Sequence, residues 1–83
     1  MMNRLFIYEY INRLRYEDVV NFCNYKNISV NDSELQVIYS YIKNDYKRFF
    51  NDPMSVLNEI KYKVSDYTFS EIMKMYDKYK GFI

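Results

Sequence analysis

The chain contains no histidine, no alanine and no tryptophan, and only one residue each of cysteine, glycine and proline. Each shortage excludes something. Without histidine the commonest zinc ligand and general base is missing. Cys23 stands alone, so no intramolecular disulfide can form, and a reducing, cytoplasmic setting is expected. The sole glycine, Gly81, rules out a glycine-rich phosphate loop. Long apolar runs are absent too. The longest, Leu5 to Tyr8, falls far short of the ~20 residues of a membrane-spanning helix and of the ~7 to 15 of a signal peptide's apolar core. The N-terminal MMNRLFIYEYINRLR is Arg-bearing and amphipathic, as transit peptides are, but is expected to belong to the folded domain. No membrane association is expected.

A large charge of either sign is also lacking. Twelve Lys and Arg against eleven Asp and Glu leave a net charge of +1, too little for a protein whose affinity comes from a general positive field. Any basic site must be local. The half after Ile42 holds eight basic and six acidic residues, the half before it four and five, so the asymmetry is weak.

What the chain does have is a 49% apolar fraction with 28% charged residues, the balance of a folded domain and not of a disordered tail. At 83 residues it makes one domain that buries only roughly 60 to 65% of the surface of its unfolded form. Phe, Tyr, Met, Ile, Asn and Lys supply 47 of the residues. Their codons are rich in A and T, so part of the tyrosine excess reflects composition, which weakens any aromatic cluster as a functional clue.

The punctuation predicts short helices throughout 1–83, with no repeat, low-complexity linker or second domain. Residues Asn3 to Leu14 place Ile7, Ile11 and Leu14 on one stripe, broadened by Leu5 and Tyr8. A second helix from Tyr16 to Tyr25 turns Val19, Val20, Phe22 and Cys23 inward, with Glu17 and Asp18 at its dipole-favoured start. Asn27 is its stop, and Ile28 and Val30 point inward from an extended loop. Asn31 and Glu34 form a capping-box variant opening a third helix with Leu35, Ile38 and Ile42 on its face. Asn44 and Asp45 weaken that helix, and two versions follow. Either it runs on, with Tyr46 and Phe49 continuing the stripe, or it breaks near Asn44 and the aromatics plug the bundle from a loop.

Asp52 before Pro53 is the clearest local signal, a capping carboxylate followed by a residue suited to the first helical position. The fourth helix presents Met54, Leu57, Ile60 and Val64. Thr68 with Glu71 reads as a second capping box, opening a fifth helix with Ile72, Met73, Tyr76 and Tyr79 on its face, Lys74, Lys78 and Lys80 toward its end, and Gly81 as its stop. Phe82 and Ile83 either fold back or await a partner. The expected fold is all-α, a small orthogonal bundle of four to five short helices.

Catalytic chemistry finds no foothold in this pattern. The run NDSE at 31–34 has oxygen ligands but lacks the glycine and the closing acid of a calcium loop. Cys23 lies on an inward stripe with no histidine to activate it, so it reads as a core thiol. No spacing singles out a pair of carboxylates. No enzyme activity, metal or cofactor is expected.

One stretch invites a functional reading, YSYIKNDYKRFF at 39–50. Tyr39, Lys43, Tyr46, Lys47, Arg48 and Phe50 form the candidate surface, for a protein partner or for nucleic acid whose bases stack on the rings while phosphates meet the cations. Lys61 and Lys63 extend it. Against this stands a core joint, with the same aromatics buried between the third and fourth helices, which is the favoured reading.

The order of these signals resembles a known family. The run IN-x-L-x3-D-V-V-x-F-x5-I-x-V over 11–30, the IK at 42–43, F-x-D-P and L-x-E-I within 50–60, and T-x3-I over 68–72 are similar to short helical Firmicutes proteins classed only as a domain of unknown function. The likeness spans about residues 7–80, with Asp-Val-Val where Glu-Leu-Leu is usual. It implies a small cytoplasmic helical protein and transfers no site residues. The expected function is a non-enzymatic interaction or regulatory module acting on a protein partner or on its own copy. A nucleic-acid-binding accessory and a small phage-type inhibitor of a host or defence protein are the alternatives.

Overall fold

The computed structural model describes residues 4–82, without the side chains of Arg4, Tyr79 and Phe82. The expectations placed on Asn3, on Ile83 and on the rings of Tyr79 and Phe82 lie outside what is described. Among the described residues the chain forms five α-helices and no strand: α1 (Arg4–Arg13), α2 (Tyr16–Tyr25), α3 (Asp32–Asn51), α4 (Pro53–Lys61) and α5 (Asp66–Tyr79), closed by a 3-10 turn at Lys80–Phe82. This is the all-α bundle expected from the caps and stripes.

The longest element organises the rest. At 1.5 Å per residue, the 20 residues of α3 span about 30 Å, a length close to the 31 Å of the longest molecular axis. The helix does not break at Asn44. It runs on through Asn51, so the continuous version of the central segment is the one formed. Asn44 Nδ2 donates to Ser40 Oγ one turn back at 3.3 Å, and Asp45 pairs with Arg48 at 3.3 Å. Side-chain partners along the helix thus occupy the two residues expected to break it.

The ends of the helices follow local chemistry. Asn27 adopts φ 56°. Its N–H donates to the Asn24 carbonyl at 3.2 Å, and the Ile28 N–H donates to the Cys23 carbonyl at 2.9 Å. These two bonds make a Schellman stop, with asparagine in the left-handed position that usually takes glycine. Asn31 Oδ1 accepts the Glu34 N–H at 2.9 Å and opens α3. Asp52 ends α3, its N–H bonded to the Arg48 carbonyl at 2.8 Å. It also opens α4, where its carboxylate accepts the Ser55 hydroxyl at 2.7 Å. The two helices therefore meet without a loop.

Two expectations at α5 change. The cap is Ser65, whose hydroxyl oxygen accepts the Thr68 N–H at 3.2 Å. Thr68 lies three residues inside the helix and is only 1% exposed. Gly81 is not a left-handed stop, since no glycine has positive φ; it sits within the closing 3-10 turn.

The core is compact and centred on α4. Val56, Leu57 and Ile60 are buried there, joined by Ile11, Val19 and Leu35 from α1, α2 and α3. Met54, expected inside, is half exposed and Val56 takes its place; Leu5 and Phe22 also face outward. Cys23 is half-buried, and its surroundings raise the thiol pKa. The helices α1 and α2 both lean on α3 but scarcely touch each other.

Candidate functional site

The six residues of the expected surface are spread around α3, and most of their polar atoms are engaged within the fold. Tyr39 is half-buried; its hydroxyl donates to the Leu14 carbonyl at 3.1 Å, and its ring meets Tyr16 edge-on at 5.8 Å. The Lys43 ammonium donates to the carbonyls of Ile11 and Asn12 at 2.9 and 2.8 Å. A cation is thereby placed on the carbonyl end of α1, where the helix dipole favours it. Arg48 makes two hydrogen bonds to the Glu59 carboxylate, tying α3 to α4. That pairing raises the guanidinium pKa and lowers the carboxyl pKa, helped by the Tyr41 hydroxyl, which donates to Glu59 at 3.1 Å.

The aromatic members form a chain of ring contacts, three edge-on and one, between Tyr8 and Phe50, tilted. Tyr8 meets Tyr46 at 5.1 Å and Phe50 at 5.8 Å, Phe50 meets Phe49 at 6.2 Å, and Phe49 meets Tyr76 of α5 at 5.9 Å. Through these rings α3 holds α1 on one side and α5 on the other. Lys47 is exposed, with its ammonium 5.6 Å from the Tyr8 ring and 5.9 Å from that of Tyr46. The structure thus brings Tyr46, Lys47 and Phe50 together around Tyr8. Tyr39 and Lys43 lie where α3 meets α1, and Arg48 turns toward α4.

A different surface collects four of the exposed large apolar side chains. On α1, Phe6 and Tyr10 lie one turn apart on a flank beside the buried stripe, 67% and 68% exposed; on α2, Phe22 and Tyr25 repeat the arrangement at 39% and 80%. Because α1 and α2 separate above α3, an open cleft of about 530 Å³ lies between these flanks, lined by Tyr10, Leu14, Phe22 and Tyr25 with Arg13 and Asp18 among its polar groups. Arg13 has no ion-pair partner among the described residues. Asp18 accepts the Arg15 N–H at 2.9 Å, fixing the start of α2.

Phe6, Tyr10 and Tyr25 were not among the expected site residues, because on α1 and α2 only the inward stripes were followed. The available signal was the spacing of Phe6, Tyr10 and Arg13, a second helical row beside Ile7, Ile11 and Leu14. A ten-residue helix with apolar residues on two rows carries more than one bundle contact needs.

One polar cluster joins distant elements. Glu34 of α3 accepts the Ser65 N–H and, at 3.0 Å, the Thr68 hydroxyl, which itself accepts the Ser65 hydroxyl at 3.1 Å. The Ser65 N–H bond is the main reason the Glu34 carboxyl is held below its usual pKa. Among the described residues no group of three or more Cys, Asp or Glu is placed to hold a metal ion, and no helix is long and apolar enough to cross a membrane. No protein-family model matches the chain, and comparisons with curated proteins and with solved structures returned no match. The family resemblance therefore rests on the sequence motifs alone.

Proposed function

We propose that the chain is a non-enzymatic cytoplasmic interaction module, of the kind implied by its resemblance to the short Firmicutes family. It offers a helical surface to a protein partner or to its own copy. The observation that carries this reading is the pair of exposed aromatic flanks on α1 and α2 around an open cleft. Apolar side chains gathered at a concavity and rimmed by polar groups are the usual mark of an association site. The ionisable groups offer less support for chemistry, since Lys43, Glu34 and the Arg48–Glu59 pair are engaged in joining helices.

The test is light scattering of the purified protein, together with affinity capture from a lysate of the source cells, each repeated with Tyr10→Ser plus Tyr25→Ser. The reading expects a complex that the double variant weakens at least tenfold. A strictly monomeric protein that captures nothing above background defeats it.

A nucleic-acid role has one observation in its favour. Tyr62 stands 85% exposed between the exposed Lys61 and Lys63, a single stacking platform with two cations. It requires a salt-dependent mobility shift of labelled single-stranded RNA or DNA that Lys61→Glu plus Lys63→Glu abolishes. Absence of binding at low salt removes this reading.

A further inference from the structure

We infer that the occupant of the α1–α2 cleft is the same cleft of a second copy, forming a two-fold dimer; this rests on the interaction-module reading and deepens it. The first support is charge. The α1 wall presents Arg13, unpaired among the described residues, and the α2 wall presents Asp18. A two-fold operation that lays the cleft on itself brings residue i of one copy to residue j of the other and j to i. With the α1 wall of one copy laid on the α2 wall of the other, Arg13 of each copy meets Asp18 of its partner, so both pairs form at once. A cleft with one cation and one anion on opposite walls is self-complementary in charge, whereas a phosphate backbone would meet the Asp18 carboxylate as well as Arg13.

The second support is area. Fully exposed aromatic side chains carry about 150 to 250 Å² each. At the observed exposures, Tyr10, Phe22 and Tyr25 of the cleft, with Phe6 on the α1 flank beside it, offer about 500 Å² per copy. Together with the polar rim this approaches the ~800 Å² per partner of a standard stable interface. The Tyr, Phe and Arg content fits an interface centre, where these residues are enriched; the Lys26 ammonium, 6.0 Å from the Phe22 ring and 5.7 Å from that of Tyr25, belongs to the polar rim.

Sedimentation equilibrium of the full chain tests this across a concentration series. The expected species has twice the 10.3 kDa chain mass. Tyr10→Ser plus Tyr25→Ser should raise the dissociation constant at least tenfold with the helical circular dichroism unchanged. Charge exchange is the more discriminating experiment. Arg13→Glu alone sets acid against Asp18 across both contacts, and Asp18→Lys alone sets base against Arg13. Mixed together, these two variants form a heterodimer in which every contact is again opposite in sign, so each should self-associate poorly while the mixture dimerises like the wild type.

Asp18 also anchors the start of α2. If Asp18→Lys does not fold, Arg13→Glu against a distant Lys61→Glu control carries the test, with at least a tenfold loss expected for the first and none for the second. A dimer indifferent to Tyr10, Tyr25 and Arg13 overturns the assignment of this face and leaves the interaction-module reading standing. A wild type that stays monomeric to millimolar concentration, yet captures a cellular partner through Tyr10 and Tyr25, overturns self-association alone. A monomer that captures nothing overturns both.

Discussion

Glu34 carries more of the fold than its place in the sequence suggests. In an ordinary capping box the third residue of a helix returns a carboxylate to the N–H of its own cap. In α5 that third residue is Thr68, too short to do so, and Glu34 of α3 supplies the carboxylate from 31 residues upstream. Glu34→Ala leaves the buried Thr68 hydroxyl and the Ser65 N–H without their acceptor, at a cost of about 2 kcal/mol. Glu34→Gln should retain part of that, because an amide oxygen still accepts. The pH dependence has a definite sign. The folded carboxyl sits below its usual value, so the unfolded chain binds the proton more readily. The contribution is complete above the unfolded pKa of about 4.3 and is lost as the pH falls through the folded value. Urea titrations between neutral and acid pH should show that acid loss in the wild type, and Glu34→Gln should flatten its share. At the same scale, Asn27 holds φ 56°. Asn27→Gly should be neutral or slightly stabilising, and Asn27→Val should cost about 1 to 2 kcal/mol in the same titrations.

At the level of helices, the residues that act on their immediate neighbours were the legible ones. The bounds of α2, the Asn27 stop, the Asn31 cap and the Asp52–Pro53 start all follow from contacts within a few positions along the chain. Thr68 was misread because Thr-x-x-Glu satisfies the local pattern, while Ser65 gains its advantage from Glu34, which local pattern cannot see. The continuity of α3 draws on the local partners of Asn44 and Asp45 and also on rings from α1 and α5 packing along Tyr46 and Phe49, a tertiary cause. The candidate surface was less legible still. A phenylalanine on a short helix looks the same whether a neighbour covers it or not, so Phe6 and Phe22 could be sorted only after α1 and α2 were seen to part. Lys43 illustrates the reverse error, a cation that looked available to a ligand and instead closes α1. Lys43→Met removes two charge-assisted bonds but keeps the apolar stem. Amide exchange in α1 should then quicken about tenfold, equivalent to about 1.4 kcal/mol. Exchange in α4 should be unchanged, and an equal change in both helices would show that Lys43 supports the whole domain and not one end of α1.

For the molecule as a whole, the small core and the exposed aromatic face make stability and association separable. Among the described residues, half of the buried apolar side chains belong to α4. Leu57→Ala should therefore cost about 3 kcal/mol out of the ~4 to 12 kcal/mol available to a domain of this size, lowering Tm by about 15 °C. Tyr10→Ser plus Tyr25→Ser touches side chains that are mostly exposed, and in the monomer should change stability by only about 0.5 kcal/mol. If two copies bind through those rings, however, dimerisation adds to the folded state by mass action. The wild-type Tm should then rise by about 5 °C when the protein is concentrated a hundredfold through its dissociation constant. Over the same range the doubly substituted protein should show a clearly smaller rise. Leu57→Ala should melt lower throughout yet keep the wild-type concentration dependence wherever it is folded, because its lesion lies in the core and not on the face. Calorimetry of the three proteins at two concentrations separates these cases, and a wild-type Tm independent of concentration above the measured dissociation constant would sever the link between the face and the fold.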